Sequence, residues 1–345
     1  MNNLRAGIIG LGFIGGADQV SGDALGQQVV DLDGTHFVAL SSHPQVDLVC
    51  GSSRDAGRRG RFEKRSGATT YADWREMLSR EKLDIVSVAT YAPQHAEMVI
   101  EAARQKARAI FCEKPIAQTI SDAEQMLVSC EEAGTLLVIN HNRRFNPQYR
   151  RLRGFIAGGS LGELTSASLQ WPSGRLGNVG THMIDAVQMI VGQPVVAVSG
   201  TLDLTGRPDC RGPVFADPGG WGMLKLEGGL IVTVDAADEA KVPAQITING
   251  TLGRAFTGGQ DVLVDLIGEP SQSWSNPAGA GSSMDLAAEE IVRTLADGVD
   301  FPWSPSESVR TLEAIAGFHA SHARNAAWMP LPLTGDDRSL IVNSG

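Results

Sequence analysis

Glu113-Lys114-Pro115 directly follows the apolar run Ala107 to Cys112, which reads as a buried strand. That places a lysine at the carboxyl end of a strand, where open α/β sheets gather their ligands. Loss of water and a nearby positive charge both lower a lysine's pKa, and such an amine can ease proton loss from a reacting hydroxyl. The bland alternative is a surface ion pair before a loop proline. A second candidate lies in Gly180-Thr181-His182-Met183-Ile184-Asp185, which opens a later helix. Asn178 and His182 are four apart and share a helical face, with Asp185 three beyond. An imidazole titrates near neutrality and suits proton exchange with an alcohol or ketone. A lone helical histidine is otherwise structural.

The elements that must position Lys114 alternate between strand and helix over residues 5 to 142. Ala6–Ile9, Asp47–Gly51, Asp84–Ala89, Ala109–Cys112 and Leu136–Ile139 read as buried strands. Thr35–Ser42, Asp73–Arg80, Gln94–Lys106 and Ser121–Ala133 read as helices, the last with Ser121 and Glu124 as a capping box. The pattern predicts a Rossmann-type parallel sheet with crossovers. Gly10-Leu11-Gly12-Phe13-Ile14-Gly15 follows its first strand. Glycines at 10, 12 and 15 permit a tight turn, approach of backbone to a pyrophosphate, and close helix–strand contact.

The second strand ends in Ser52-Ser53-Arg54, with no acid at its tip to accept from an adenosine ribose. Ser53 and Arg54, with Arg58 and Arg59 behind them, suit a 2′-phosphate, so NADP(H) is expected over NAD(H). Asp55 is the residue that opposes this expectation. From Gly15 to Ser53 there are 38 positions, where about 20 is usual. The excess is Gly16–Gly34, expected as an extra surface loop or helix, or as a flap over the cofactor or the active-site mouth.

After Asn142 the pattern changes to α+β with a large, mostly antiparallel open sheet. Its strands are Glu163–Trp171, Val195–Leu204, Trp221–Leu226, Leu230–Ala236, Gln245–Asn249 and Val262–Leu266. The Gly228-Gly229 turn makes the third and fourth a hairpin. The helices are Gln148–Ala157, Asn178–Val191, Ser283–Asp297 and Pro305–Ala326, and Leu333–Gly345 is a candidate tail. The expected division is a dinucleotide-binding domain over 1–142 and a substrate and oligomerisation domain over 143–345.

A net charge of −10 with 20% charged residues argues against a nucleic-acid partner. Four cysteines without a Cys-x-x-Cys pair read as reduced apolar fillers. The start of the chain reads as a strand rather than a leader or membrane span, giving a cytoplasmic expectation. His36, His43, His319 and His322 show no metal spacing, so no metal is expected. Trp171, Trp221 and Trp303 read as core or sheet residues; Trp171 is the best exception as a stacking platform for a substrate, and Arg175 on the same connection is placed to reach a substrate oxygen.

The chain resembles the glucose–fructose oxidoreductase / inositol dehydrogenase (Gfo/Idh/MocA) family. The matching segments are Gly10 to Gly15, Thr90-Tyr91-Ala92-Pro93-Gln94-His95, Phe111-Cys112-Glu113-Lys114-Pro115, Asn142-Arg143-Arg144-Phe145, Leu161-Gly162-Glu163 and Gly180 to Asp185. The resemblance implies an NAD(P)-dependent oxidoreductase acting on a sugar, polyol or glycoside derivative. It implies that Lys114 assists proton transfer and that His182 is the main acid/base. Glu113 would contact the nicotinamide ribose. Phe13, Ile14, Thr90, Pro93, His95, Asn142 and Arg143 would belong to the cofactor site. Asp185 would sit near or behind the substrate, with Asn178, Arg175 and Trp171 around it. A homodimer or homotetramer through the C-terminal sheet would follow. Many members carry an aspartate where this chain has Asn178, and an amide orients a hydroxyl without taking its proton. An imine or enone reductase, and a non-catalytic NADP-binding regulator, are the alternative readings.

Overall fold

The computed structural model describes residues 3–20, 34–205, 215–238, 241, 243–259 and 261–344. The chain forms two compact units. One comprises Met1–Ala117, Asp122–Asn140 and Gly281–Pro305; the other comprises Gln118–Ser121, His141–Ala280 and Ser306–Gly345.

In the first unit, strands β1 (Leu4–Ile9), β2 (Val46–Ser52), β3 (Thr69–Tyr71), β4 (Ile85–Val88), β5 (Ala109–Cys112) and β6 (Leu136–Ile139) pair in parallel. Their order is β3-β2-β1-β4-β5-β6, so the winding reverses between β1 and β4. That reversal opens a crevice at the strands' carboxyl ends. β4 and β5 are buried at every position, as strands covered on both faces must be. Helices α1 (Phe13–Gly16), α2 (His36–Ser41), α3 (Ala56–Ser66), α4 (Trp74–Arg80), α5 (His95–Arg104) and α6 (Ile120–Ala133) connect them. α6 starts before Ser121, so the expected Ser121–Glu124 box does not begin it. β3 was not read from the sequence: three half-exposed residues carry no periodic signal.

The second unit begins with α7 (Pro147–Ala157), β7 (Leu164–Gln170) and α8 (Thr181–Val191). It continues through β8 (Val195–Asp203), β9 (Gly219–Leu226), β10 (Ile231–Ala236), β11 (Gln245–Gly250), β12 (Gly253–Gly258), β13 (Asp261–Leu266) and β14 (Gln272–Trp274). Then α9 (Ser283–Asp297) packs on α2 in the first unit, so a single cut at 142/143 misassigns it. A capping box, Ser282 with Asp285, starts α9. α10 (Ser306–His322) and β15 (Met329–Pro330) return to the second unit.

The second sheet runs β14-β13-β12-β11-β7-β10-β9-β8-β15, antiparallel except where β10 lies parallel to β7. The expected hairpin is β9–β10, with Trp221 opposite Asp235. Side chains alternate between the two faces. The cross-strand row Leu224, Val232, Ala167, Ile248, Ala255 and Val264 is buried. The next row, Met223, Thr233, Ser168, Thr247, Phe256 and Leu263, is open to varying degrees. The expected tail is not loose: Leu333, Val342 and Ser344 are buried, and Val342 N donates to Gln118 O at 2.9 Å.

Candidate active site

The glycine turn after β1 is sterically obligatory. Gly10 has φ +97°, and a Cβ there would stand 2.4 Å from the Ala89 carbonyl oxygen. At Gly15 it would stand 2.0 Å from the Gly10 carbonyl oxygen. Such a turn lets backbone approach a phosphate where side chains cannot intrude. Gly12 caps α1, which makes only one turn before Ala17 (φ 55°) ends it. Ile14 is partly exposed on this turn, whereas Phe13 is buried.

Residues 21–33 of the Gly16–Gly34 insertion lie outside the described residues. Its start is anchored. The buried Asp18 carboxylate accepts from Arg61 Nε at 2.8 Å and Nη2 at 2.7 Å, and Arg58 Nε lies 3.8 Å away. Arg65 donates to the Gly16 carbonyl. Arg59 Nη1 donates to the carbonyls of Ser53 and Arg54. The basic cluster is therefore largely engaged within the protein, and Arg58 faces Asp18. Asp55 caps α3, accepting from Arg58 N at 2.8 Å, and that hydrogen bond lowers its pKa. Ser53 is half-buried at the β2 tip and Arg54 is exposed.

Thr90 and the exposed Pro93 follow β4. His95 is fully buried and does not line an open surface. Its Nε2 lies 3.0 Å from the Thr90 carbonyl, and its Nδ1 lies 3.0 Å from that of Pro115 and 3.3 Å from that of Ile116. It ties the β4 turn to the segment after Lys114. Burial pushes its pKa down, against those carbonyls and the Glu113 charge.

Glu113 is held by groups from three segments. Its Oε1 accepts from Asn140 Nδ2 at 2.6 Å and lies 3.0 Å from His36 Nε2; its Oε2 accepts from Lys114 N at 3.3 Å. Burial opposes its charge, but the hydrogen bond and charge of His36, the Lys114 ammonium and Asn140 outweigh it, holding the pKa at about 2. Lys114 is half-buried beside this anion. Neither His36 nor Asn140 was among the residues expected from the sequence. Asn140 closes β6, but His36 had no local signal.

In the second unit, a π-turn, Leu176–Gly180, precedes α8, so Asn178 and His182 do not share a regular α-helical face. Arg175 introduces the turn in a left-handed conformation (φ 63°, ψ 67°). The Asp217 carboxylate accepts from Gly177 N and Asn178 N, each at 2.8 Å. A Cβ at Gly177 would lie 2.4 Å from Ser344 Cβ, and one at Gly180 would lie 2.9 Å from the Trp171 ring. Trp171 is fully buried with Nε1 donating to Gly174 O at 2.6 Å. It supports the turn and offers no ring face to a sugar.

Thr181 and every residue from Met183 to Ile190 in α8 are buried, whereas His182 is half-buried. Asp185 is fully buried and held by Arg144, through Nε (3.1 and 2.8 Å) and Nη2 (2.8 Å). Burial opposes the Arg144 charge, but Asp185 and Glu307 more than restore it and raise its pKa. His141, also missed in the sequence, lies 3.5 Å from Asp185, 2.9 Å from Thr181 Oγ1 and 3.1 Å from Ser308 Oγ. Its ring meets the His182 ring edge-on at 6.1 Å. Asp185 thus stands behind His182 rather than among groups offered to a substrate. Asn142 Oδ1 and Arg143 Nε, on the turn after β6, are buried without a protein partner.

Among the described residues, no group of three or more His, Cys, Asp or Glu is placed to hold a metal ion, and no helix is long and apolar enough to cross a membrane. The residues do fit a dinucleotide. The glycine cradle admits no side chain, and Asn140 Oδ1, next to Glu113, is buried with no protein acceptor or donor to meet it.

A 3-2-1-4-5-6 sheet with this cradle defines a dinucleotide-binding Rossmann unit. The family description "Oxidoreductase family, NAD-binding Rossmann fold" matches residues 4–141, and the GFO/IDH/MocA C-terminal domain matches 168–256. The chain belongs to the Gfo/Idh/MocA oxidoreductase family. It is 36% identical to D-apiose dehydrogenase of Paraburkholderia graminis over 38% of this chain and 32% of that protein, so it spans about a third of that relative. It is 26% identical to levoglucosan dehydrogenase of Pseudarthrobacter phenanthrenivorans, over 70% of this chain and 69% of that one. The fold matches a solved levoglucosan dehydrogenase in complex with NADH and levoglucosan, with TM-score 0.79 at 21% identity, over 96% of this chain and 100% of the other. It also matches the WlbA dehydrogenase from Bordetella pertussis in complex with NADH and UDP-GlcNAcA, with TM-score 0.78 at 20% identity, over 96% and 99%.

Proposed function

We propose that this protein is an NADP-dependent oxidoreductase for a hydroxyl- or carbonyl-bearing carbon of a sugar, polyol or glycoside derivative. The observation that carries the reading is Lys114 at the carboxyl end of β5, beside a Glu113 held anionic by His36 and Asn140. The bound nicotinamide supplies or accepts the hydride. Glu113 would hold the nicotinamide ribose. Lys114 hydrogen-bonds the reacting oxygen and eases its proton loss, and His182 is the main acid/base. Oxidation of CH–OH then yields a carbonyl, the reduced dinucleotide and one proton; reduction reverses this. Asn178, held by Asp217, orients a substrate hydroxyl without exchanging its proton. Arg175 contributes a further donor, and Asp185 acts through its place behind His182.

The substrate class rests on relatives named for D-apiose, levoglucosan and myo-inositol. The preference for NADP rests on Ser53 in place of an acid, on exposed Arg54, and on Asp55 being occupied as a cap. Against it stand the NADH complexes of the similar structures. A homodimer or homotetramer through the open sheet face is supported by exposed Trp221, Met223 and Leu263. Titration with NADPH and NADH, followed by tryptophan quenching, and then a sugar and polyol panel test the reading. Tight NADPH binding with turnover of a panel member is expected. Preference for NADH overturns the cofactor assignment, and turnover confined to non-sugar imines or enones overturns the substrate class.

A further inference from the structure

His36 opens α2, fully buried, with its ring 4.5 Å from that of Phe111. Thr35 Oγ1 caps this helix by accepting from Val38 N at 3.3 Å. The two ring nitrogens reach different strands: Nδ1 lies 2.8 Å from Ser87 Oγ in β4, and Nε2 lies 3.0 Å from Glu113 Oε1 after β5. A carboxylate only accepts, so the Nε2 proton belongs to the Glu113 bond. In the neutral ring, Nδ1 then accepts from the Ser87 hydroxyl. Asn140 Nδ2 adds a second donor to the same Oε1 at 2.6 Å. Both side-chain donors converge on one oxygen, and the other faces the Lys114 backbone N–H.

Ser87, His36 and Glu113 have the connectivity of a hydrolytic triad. A nucleophile must reach its substrate, however, and Ser87 is wholly buried within β4. The cluster can orient but not attack.

We propose that His36 is a positioning residue: with Ser87 and Asn140 it fixes the Glu113 carboxylate beside Lys114, and its loss lowers turnover more than dinucleotide affinity. The proposal rests on the reading of Glu113-Lys114 as the reaction centre. The titratable or charged groups facing Glu113 are His36 from α2, Lys114 on its own segment, His95 from α5 and the adjoining Cys112. None of the other three replaces the His36 hydrogen bond to Oε1.

The test compares His36→Phe, which keeps ring bulk, His36→Gln, which restores a donor, and Ser87→Ala, which removes one hydroxyl. Loss of one hydrogen bond to a charged group predicts a kcat about tenfold or more lower in His36→Phe, with a smaller weakening of dinucleotide binding through Glu113. His36→Gln recovers most of that loss, and Ser87→Ala loses less than His36→Phe. Equal kcat in wild type and His36→Phe, or equal loss in His36→Phe and His36→Gln, overturns the role. Urea unfolding of the cofactor-free protein supplies a readout without turnover. His36→Phe and Glu113→Gln should be non-additive, and the fall in stability on going from pH 4.5 to pH 2 should shrink in His36→Phe. Additive effects overturn the proposal even if no substrate is turned over; turnover absent in the wild type, with non-additivity retained, counts against the oxidoreductase reading alone.

Discussion

Glu113 and Asp185 are both buried carboxylates, one in each compact unit, and each lies close in sequence to a residue proposed to handle a proton. Their partners differ in kind. Asp185 is gripped by the Arg144 guanidinium through three hydrogen bonds. Its charge is cancelled by a full opposite charge in a fixed fork. Glu113 instead has an imidazole and an amide on one oxygen and a backbone N–H on the other. The first arrangement is a strut: it joins the turn after β6 to α8, and Glu307 extends it to α10. The second keeps an anion available and oriented. Burial of a carboxylate therefore does not by itself mark a functional group; the chemistry of what compensates it does.

Breaking the strut should have the largest structural effect. Arg144→Met leaves Asp185 buried without its guanidinium partner, and loss of one partner of a buried pair costs about 3–5 kcal/mol. Urea unfolding measures this, and a loss below about 1 kcal/mol, the scale of a surface pair, would break the comparison. His182→Asn should lower kcat about 100-fold, the lower range for a general acid–base group, with little change in unfolding midpoint. A matching loss of stability would make His182 part of the strut instead.

Acid tests the Glu113 side of the comparison. The Glu113 pKa is depressed from 4.5 to about 2, so its stabilising contribution is complete above pH 4.5 and lost as pH falls towards 2. The contribution is about 3 kcal/mol at one pKa unit per 1.4 kcal/mol. Glu113→Gln should flatten the stability–pH curve over that window; an unchanged slope would show that other carboxylates govern it. The smallest effect is expected at the β2 tip. Arg54→Ala should weaken NADPH about tenfold and leave NADH unchanged, the scale of one charge-assisted hydrogen bond. Equal weakening of both would remove Arg54 from 2′-phosphate recognition.

Much of the first unit is legible in the sequence because its signals are local. β5 and β6 are short, uniformly apolar runs, and their observed ends coincide with those read from the sequence. The glycine turn announces itself by spacing. β12 escaped because glycine at both ends and Arg254 within leave no alternation; its pairing with β11 and β13 defines it. The partners of the two carboxylates escaped for a related reason. His36 is 77 positions from Glu113, and Arg144 is 41 from Asp185. Helical spacing grouped Asn178 with His182 and Asp185, but the π-turn at Leu176–Gly180 breaks that face. No periodicity rule anticipates such a turn, since Asp217 and Ser344 meet it from distant parts of the chain.

The most direct test of the central claim is Lys114→Ala, assayed on a sugar or polyol that the wild type oxidises, with NADPH Kd measured on the same sample. A fall in kcat of about 100-fold or more with Kd within about twofold is expected for loss of a proton-handling group. Retained turnover in Lys114→Ala would contradict the account, because no chemistry would then remain for the residue that Glu113 stands beside.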